Sequence, residues 1–534
     1  MVKPARRLAV AAVFMLFGAA GLNLTGGTAA VAAPGAAGTP VPVAGVGSAV
    51  GRVVDVRTLP AAPAASAVTQ PVPAAPVQSG RPLLPSRPTT GRKVAPPSLP
   101  GTANSGTTAG NQAQPNVAPG VVANFAGISA ATCGACLRPS DVNAAVGTTQ
   151  IVEATNLRMA VYNKSGTQQC ATITIATLLG STDSLSDPRV QFDNVNLRFS
   201  FVMTVVPASG TATPALWVAA TTGNNACGTW NVYRVTFSGG SFPAGELLDY
   251  PILGQDRNAL LFGTDNFGSN RNRTVFAIPK SAVYSGQGFS FSAFNVNAQC
   301  APVSNGGIPM TSSTFSYFLG SVPGTGYQLY RMANSAGPNT SVTLQATISA
   351  PFNAPSRRAN QPGTTSTIDP LDGRIAWSPV LASGGFIWFA HGIDLSGFPA
   401  VRYGAINTNN NTSGGMATAF RSATSDDFNP SVGVGNNPGG GAFIYVNWAY
   451  TDAPNNISTS VTVDSVQPGA GVPDLHGTGV VLVNGSNTTD DRFGDYSSVA
   501  IDPSNANGSC AVIAQQYFGT DGGWRTRIGR VGTC

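Results

Sequence analysis

The sequence predicts an all-β fold built as a β-propeller, and three observations lead to this prediction. Only 10% of the 534 residues are Asp, Glu, Lys or Arg, whereas Gly (63) and Pro (40) are abundant; an average soluble domain has about 25% charged residues. From about residue 147, short apolar segments alternate with Gly, Asn, Asp and Pro, a pattern typical of short strands and turns. A weak internal repeat then favours a propeller over a sandwich or a barrel.

The first 32 residues have the features of a signal peptide. Met1–Arg7 is basic, Leu8–Leu24 is apolar, and Ala30-Val31-Ala32 has the small residues that signal peptidase recognises. We therefore expect cleavage after Ala32 and a secreted, extracellular protein. An uncleaved membrane anchor is the alternative, but the apolar run is short for a span of about 20 residues. No later stretch predicts a transmembrane helix.

Residues 33–120 have the composition of a Pro/Ala-rich disordered linker. Sixteen of the 40 prolines lie between Pro34 and Pro119, and this stretch contains no aromatic residue. Such a segment buries too little apolar surface to offset its conformational entropy, and its prolines keep it semi-extended. Both a stalk and a dispensable pro-segment fit this composition. The predicted organisation is thus a signal peptide (1–32), a linker (33–120) and a propeller domain (121–534).

The positive net charge of the chain does not belong to the predicted propeller. Residues 1–120 hold nine of the 29 basic residues and one of the 23 acidic ones, which leaves 20 basic and 22 acidic residues in 121–534. Backbone-phosphate binding requires clustered Lys and Arg, and this region has only Lys164 and Lys280. A nucleic-acid partner is therefore not expected. Separately, we expect the protein to be a monomer.

The seven cysteines predict disulfide bridges, because the exported chain would meet an oxidising compartment. Zinc binding is not expected, since there is no second Cys-x-x-Cys motif and the only histidines are His391 and His476. An odd number of cysteines leaves one thiol without a predicted role. The predicted pairs are Cys510 with Cys534, Cys227 with Cys300, and Cys133 with Cys136 as a small surface loop.

The repeat places an acidic residue or Asn before a short strand, which a turn connects to a strongly apolar strand. One example is Asp187–Asp193 followed by Leu197–Val202, and another is Asp495–Asp502 followed by Ser509–Ala514. The repeating unit is about 60 residues long. A unit of this length with three or four strands matches a propeller blade whose first strand lines a central channel. Seven blades are expected, with six as the alternative because residues 315–350 lack the motif. The predicted units are 141–180, 187–240, 249–300, 315–350, 369–410, 428–465 and 490–534.

Several of these stretches resemble a group of secreted bacterial proteins with a sialidase-like β-propeller domain, most of which are uncharacterised. The similar segments are Ser140–Gly147 continuing into Ile151–Gly166, Asp187–Val190, Asp249–Gly254 and Arg492–Pro503. They occur in corresponding order, so the resemblance covers about residues 140–534 and excludes the linker. It implies a propeller fold and says little about chemistry, because one fold can carry many functions.

Three aspartates that begin first strands are the candidate functional residues. In a closed propeller Asp187, Asp249 and Asp495 would converge on one mouth, where two carboxylates could hydrolyse a glycosidic bond. The alternative is that each aspartate caps its own turn through the backbone. Polar and aromatic neighbours could help to bind a glycan. The candidate ligand-binding residues are Asp187, Arg189, Asp249, Tyr250, Arg492, Asp495 and Tyr496.

Other chemistry has weaker support in the sequence. The chain has no Ser-x-Asp-x-Gly-x-Thr-Trp motif of true sialidases, and its only glutamates are Glu153 and Glu246. His391 follows an apolar strand and is interpreted as a structural hydrogen-bonding residue. No cofactor is predicted, although the oxygen-rich segments Asp502–Gly508 and Asp490-Asp491 suit calcium, with plain turns as the alternative.

Two functions therefore remain open. The first is a non-catalytic extracellular propeller that binds a glycan, a peptide or a cell-surface partner at its central mouth. The second is a sialidase-like glycoside hydrolase or lyase that uses the aspartates. The position of the carboxylates distinguishes these hypotheses. Two of Asp187, Asp249 and Asp495 within about 10 Å of each other in a pocket with an arginine would favour the hydrolase, whereas aspartates that hydrogen-bond their own turns would favour the binding role.

Overall fold

The computed structural model describes residues 38–63, 84–85, 93, 118–133, 136–268, 272–304, 315–436, 442–466, 475–477 and 479–534. The predicted signal peptide lies outside these residues, as does most of the predicted linker. No helix in the described residues is long and apolar enough to cross a membrane. The strands that precede the first sheet are β1 (Thr39–Pro40), β2 (Val43–Ala49), β3 (Gly51–Asp55) and β4 (Val121–Ser129).

Three antiparallel sheets of four strands follow in chain order, and strand β2 joins the second and the third into one ten-stranded sheet that also includes β3. The first contains β5 (Asn143–Val146), β6 (Gln150–Thr155), β7 (Arg158–Asn163) and β8 (Ile173–Thr174), and helix α1 (Ile175–Leu179) follows it. The second contains β9 (Ser184–Asp193), β10 (Arg198–Val206), β11 (Ala215–Thr221) and β12 (Thr229–Ser238). The third contains β13 (Leu247–Gln255), β14 (Ala259–Phe267), β15 (Arg273–Pro279) and β16 (Phe289–Asn295), with helix α2 (Lys280–Ser285) between its last two strands.

Four further sheets complete the fold. The fourth contains β17 (Cys300–Pro302), β18 (Phe315–Val322), β19 (Gly326–Ala333) and β20 (Ser341–Ser349), and a two-stranded ribbon follows, β21 (Ala359–Asn360) and β22 (Thr367–Ile368). The fifth contains β23 (Val380–Ala382), β24 (Phe386–Leu395), β25 (Phe398–Asn407) and β26 (Thr412–Phe420). The sixth contains β27 (Asp426–Asn436), β28 (Ala442–Asp452), β29 (Ile457–Val466) and, after β30 (Leu475–His476), which pairs with β26, strand β31 (Val480–Asn484). The seventh contains β32 (Ser498–Ile501), β33 (Cys510–Phe518) and β34 (Trp524–Gly532).

The sheets pack face to face in a closed ring. Among the described residues, seven apolar clusters fill the spaces between successive sheets, and one of them joins the seventh sheet to the first. Strand β4 closes the ring from the N-terminal side, because it pairs antiparallel with β34 as the outer strand of the seventh sheet. Second strands such as β14 are buried along their whole length, as expected for strands covered on both faces. The prediction of an all-β propeller is confirmed.

The segment before the ring differs from its predicted state. Residues 39–55 lie within the stretch predicted to be a disordered linker, yet they form β1, β2 and β3 on the outer edges of three sheets. Strand β1 pairs with β20, β3 pairs with β12, and β2 lies between β12 and β16. Small residues allow this close approach: a Cβ at Gly45 would lie only 2.4 Å from the carbonyl oxygen of Ser238. The linker prediction is therefore wrong for these residues, because backbone pairing replaces the missing apolar side chains.

The cysteine pairing is partly as predicted. Cys510 forms a disulfide with Cys534, and Cys133 forms one with Cys136. The predicted Cys227–Cys300 pair is wrong, because Cys227 is bonded to Cys170 and Cys300 is a buried free thiol. The turn before β12 carries Cys227 and faces the first sheet, whereas Cys300 begins β17 in the fourth sheet. Three disulfides fit an extracellular protein.

Candidate functional site

The first strands of several sheets share a backbone irregularity near their beginning. Asp187, Tyr250 and Asn429 each have a positive φ, of 60°, 53° and 51°, and each is followed by proline. The pairing register of their strands shifts at or opposite these positions. A positive φ is uncommon for residues other than glycine, and each such bulge re-aims the neighbouring side chains. The repeated bulge therefore directs polar side chains of different sheets toward the axis of the ring.

The three predicted aspartates converge at this end of the first strands. Asp187, Asp249 and Asp495 are each 5% exposed or less. A fourth carboxylate, that of Asp141, joins them and accepts a hydrogen bond from the backbone N–H of Asp495 at 2.8 Å. Burial raises the pKa of Asp141, Asp187 and Asp249, and repulsion between these carboxylates and Asp495 raises it further. The convergence follows from the ring, because first strands of different sheets meet at its axis.

Two buried tyrosines lie between the aspartates. The rings of Tyr250 and Tyr496 are 4.7 Å apart between centroids. The hydroxyl of Tyr496 donates a hydrogen bond to Oδ2 of Asp187, and the hydroxyl of Tyr250 donates one to the carbonyl oxygen of Asp495 at 3.0 Å. These bonds connect the second, third and seventh sheets, so both tyrosines hold sheets together.

Three arginines complete what we call the axial cluster, which consists of these four aspartates, two tyrosines and three arginines. The guanidinium of Arg189 lies 3.4 Å from the ring centroid of Tyr496 and donates from Nε to the carbonyl oxygen of Pro251 at 3.1 Å. Arg492 pairs with Asp495 at 3.1 Å, and not with Asp491 beside it. Arg374 lies 4.4 Å from the ring centroid of Tyr250.

The carboxylates and tyrosines of the axial cluster are buried, whereas the side chain of Arg492 is 27% exposed. Tyr250 and Tyr496 pack in one apolar cluster with Phe352, Ile375 and Ala376, which belong to the segment that connects the fourth sheet to the fifth. Both tyrosines are 0% exposed. The structure thus brings the seven predicted ligand-binding residues together, and their role in ligand binding stays a prediction.

Sequence reasoning missed Asp141 and Arg374. Asp141 could have been found from the sequence. It lies just before the first strand β5, much as Asp187 and Asp249 lie near the start of their own first strands, and it belongs to one of the resembling segments. Arg374 carries no such signal, because it comes from the segment outside the sheets. Its guanidinium pairs with Asp372 at 2.6 Å, and that contact fixes it beside Tyr250.

A separate cavity of about 470 Å³ occupies the channel, toward the later halves of the first strands. Every sheet contributes to its wall, either through its first strand or through a residue next to that strand. Trp377 and Ser378 come from the segment that connects the fourth sheet to the fifth. None of the seven predicted site residues is among the described residues that line it. The wall residues on the first strands are Ala144, Ala145, Val146, Val190, Gln191, Phe192, Gln255, Val380, Gly433, Val434, Val499, Ala500 and Ile501.

The polar groups of the cavity are mostly uncharged. The amide of Gln191 donates to Ser304, whose hydroxyl is 3.1 Å from that of Ser378. Oε1 of Gln191 is buried without a hydrogen-bond partner among the described residues. Among the described wall residues the one carboxylate, that of Asp502, is neutralised by Lys164 and Arg530. Aromatic faces with amides and hydroxyls suit an uncharged polar ligand.

The segments considered for calcium contain turns and ion pairs. Asp502 begins a turn in which its carbonyl oxygen accepts from the N–H of Asn505 at 3.1 Å, and its carboxylate is bound by Ser504 as well as by the two basic side chains. No group of three His, Cys, Asp or Glu side chains in the described residues is placed to hold a metal ion.

His391 is a buried structural residue, as predicted. Nδ1 lies 2.9 Å from the carbonyl oxygen of Gly392 and Nε2 lies 2.8 Å from the hydroxyl of Tyr327. A carbonyl can only accept, so Nδ1 carries the proton and Nε2 accepts from the tyrosine. Burial and the nearby Arg402 lower the pKa of His391 to about 3.

No protein-family model matches the chain, and comparison with curated proteins gives no match. Solved structures with a similar fold include the subtype N10 neuraminidase-like protein of A/little yellow-shouldered bat/Guatemala, at 7% identity over 61% of this chain and 94% of that chain, with a TM-score of 0.35. The Penicillium chrysogenum α-L-arabinanase has 10% identity over 78% and 99%, with a TM-score of 0.35. The Trypanosoma rangeli sialidase has 9% identity over 72% and 57%, with a TM-score of 0.33.

Proposed function

We propose that this chain is a secreted, monomeric propeller that binds an uncharged glycan in its central cavity without cleaving it. The observation that carries the proposal is the separation of the two sites: the wall of the cavity is mainly aliphatic, with two aromatic rings and several amides, whereas the carboxylates of the axial cluster are buried. The indole of Trp377 and the ring of Phe192 offer faces for a sugar, and the cavity wall also carries the amide side chains of Asn194, Gln255 and Asn505.

A glycan array probed with the full chain, followed by calorimetry on the strongest hit, tests this proposal. Trp377→Ala should weaken binding by about tenfold or more, because an indole face buries apolar area at about 25 cal/mol per Å². Trp388→Ala is the matched control, since Trp388 is also a partly buried indole and does not line the cavity. Equal effects of the two substitutions, or no binding on the array, would count against the proposal.

A glycoside hydrolase is the second candidate, and one observation favours it. The axial cluster brings four carboxylates beside three arginines, with Tyr496 bonded to Asp187. Hydrolysis by this cluster would require the segment that contains Phe352 and Ile375 to move away, since these residues cover the tyrosines. Release of reducing ends from the bound glycan by the wild-type protein, and its loss in Asp187→Asn, would support the hydrolase and overturn a purely binding role.

A further inference from the structure

Lys93 inserts into the propeller from the predicted linker. Its side chain is 0% exposed, and Nζ forms an ion pair with Oδ2 of Asp427, whose side chain is also 0% exposed. Nζ lies 3.4 Å from the hydroxyl oxygen of Ser425, and the backbone N–H of Lys93 donates to the carbonyl oxygen of Ala423 at 2.9 Å. A second linker residue, Pro85, accepts a hydrogen bond from the N–H of Arg358 at 2.9 Å.

Two aromatic rings lie close to the ammonium group. Nζ of Lys93 is 5.1 Å from the ring centroid of Phe420 and 5.8 Å from that of Phe398. Both distances lie within the range in which a cation is attracted to a ring face. A buried carboxylate with two rings thus provides both charge compensation and a low-polarity wall for a primary ammonium group.

The propeller holds Asp427 in place without help from Lys93. Oδ1 accepts hydrogen bonds from the N–H of Arg421 at 2.8 Å and from Nε1 of Trp448 at 2.9 Å. Oδ2 accepts a further bond from the hydroxyl of Ser425 at 2.6 Å. The pocket is therefore built by the junction between the fifth and sixth sheets, and Lys93 supplies the positive charge.

We propose that Asp427, Ser425, Phe398 and Phe420 form a binding pocket for a primary ammonium group, and that Lys93 is its ligand in the intact chain. A carboxylate buried without its cation is strongly destabilising, so the pocket selects a cation to fill it. The linker is then fastened to the propeller at this point, and a chain that lacks the Lys93 side chain presents an empty ammonium site. This inference does not depend on the glycan proposal.

Acetylation of the native full chain tests whether Lys93 occupies the pocket. The sequence has four lysines, and a lysine-specific acetylating reagent with peptide mass spectrometry gives a separate rate for each. Relative to the urea-unfolded chain, Lys93 should be protected as strongly as the buried Lys280, and at least about tenfold more than the partly exposed Lys164. A Lys93 rate equal to that of Lys164 would overturn the proposal, and this result needs no variant.

Chemical rescue tests the pocket itself. Lys93→Ala should be destabilised, and n-propylammonium, which replaces the missing atoms, should raise its melting temperature by about 2–3 °C at 100 mM through binding to the folded state. The wild type, whose pocket is filled, and the Lys93→Ala/Asp427→Asn double variant should show no such rise beyond that given by ammonium chloride. No rise in Lys93→Ala, or an equal rise in all three proteins, would refute an ammonium pocket.

Discussion

The hydroxyl of Tyr327 donates a hydrogen bond to Nε2 of His391 at 2.8 Å, and this bond joins the fourth sheet to the fifth inside an apolar cluster. The imidazole is 0% exposed, and Nδ1 donates to the carbonyl oxygen of Gly392. A protonated ring could not accept from Tyr327, and it would also face the guanidinium of Arg402. The neutral ring is therefore part of the folded structure.

We predict that protonation of His391 weakens the fold in acid. Its pKa is about 3 in the folded chain and has an ordinary value of 6.5, so folding favours the neutral form. The stabilisation is complete above pH 6.5 and is lost as the pH falls toward 3, up to about 5 kcal/mol. Urea unfolding at pH 7 and pH 4 should show a smaller acid loss in His391→Gln than in the wild type. An acid loss in His391→Gln equal to that of the wild type would contradict the assignment.

The axial cluster predicts an opposite pH dependence at Asp249. Burial and the neighbouring Asp187 and Asp495 raise its pKa in the folded chain, and its Oδ2 is buried with no hydrogen-bond partner among the described residues. Folding thus favours the protonated form, whose stabilisation is present below the ordinary value of about 3.9 and is lost as the pH rises through the raised pKa. Asp249→Asn, which stays neutral, should be more stable than the wild type at pH 7 by about 1–3 kcal/mol.

Urea unfolding midpoints between pH 4 and pH 8 measure this difference. The gap between Asp249→Asn and the wild type should widen as the pH rises. Asp521→Asn is the control with the opposite sign, because Asp521 is an exposed carboxylate that pairs with Arg525 and has a lowered pKa. A difference in stability that does not change with pH, or a wild type that is more stable than Asp249→Asn at every pH, would contradict this prediction. Either result would show that the charged Asp249 carboxylate does not destabilise the folded chain.

The sequence was sufficient to predict the ring and the meeting of its aspartates. Short apolar segments between turn residues specify strands wherever they occur, and the acidic residue beside each first strand must approach the axis once the ring closes. The same pattern contains no information on what covers these residues. The segment around Ile375 packs against Tyr250 and Tyr496, and its path depends on tertiary packing.

Two other features could not be predicted, for different physical reasons. Composition alone predicted residues 39–55 to be disordered. The prediction failed because a strand that adds to a sheet edge is held by backbone hydrogen bonds and needs few apolar side chains. Cysteine spacing does not determine connectivity, so the choice between Cys170 and Cys300 as partner of Cys227 required the spatial order of the sheets. The bond joins the first sheet to the second.

The Cys510–Cys534 disulfide should stabilise the fold more than the Cys133–Cys136 disulfide. The two bonds close segments with sequence separations of 24 and 3, and the entropy removed from the unfolded chain grows with loop length, to about 3 kcal/mol and about 2 kcal/mol. Replacement of each pair by serine, with urea unfolding as the measurement, compares them directly. Equal losses would indicate that loop closure is not the source of the stabilisation.

Strand β2 should detach when Gly45 acquires a side chain. A Cβ there would lie 2.4 Å from the carbonyl oxygen of Ser238 and 2.7 Å from the ring of Phe242, and a backbone oxygen can yield only if the strands separate. Gly45→Ala should therefore break the pairing of β2 with β12 and β16, which joins the second and third sheets. Gly240→Ala, at a neighbouring position where nothing lies within 4 Å of the added Cβ, is the matched control.

Amide hydrogen exchange followed by mass spectrometry measures this detachment. In Gly45→Ala, peptides that cover β2 and the facing edges of β12 and β16 should exchange faster, because their backbone hydrogen bonds are lost. Peptides from the seventh sheet should be unchanged, since β4 closes the ring independently through β34. Wild-type protection of β2 in Gly45→Ala would mean that the strand can shift without losing its bonds, and that its glycines are not what permits it to lie between two sheets.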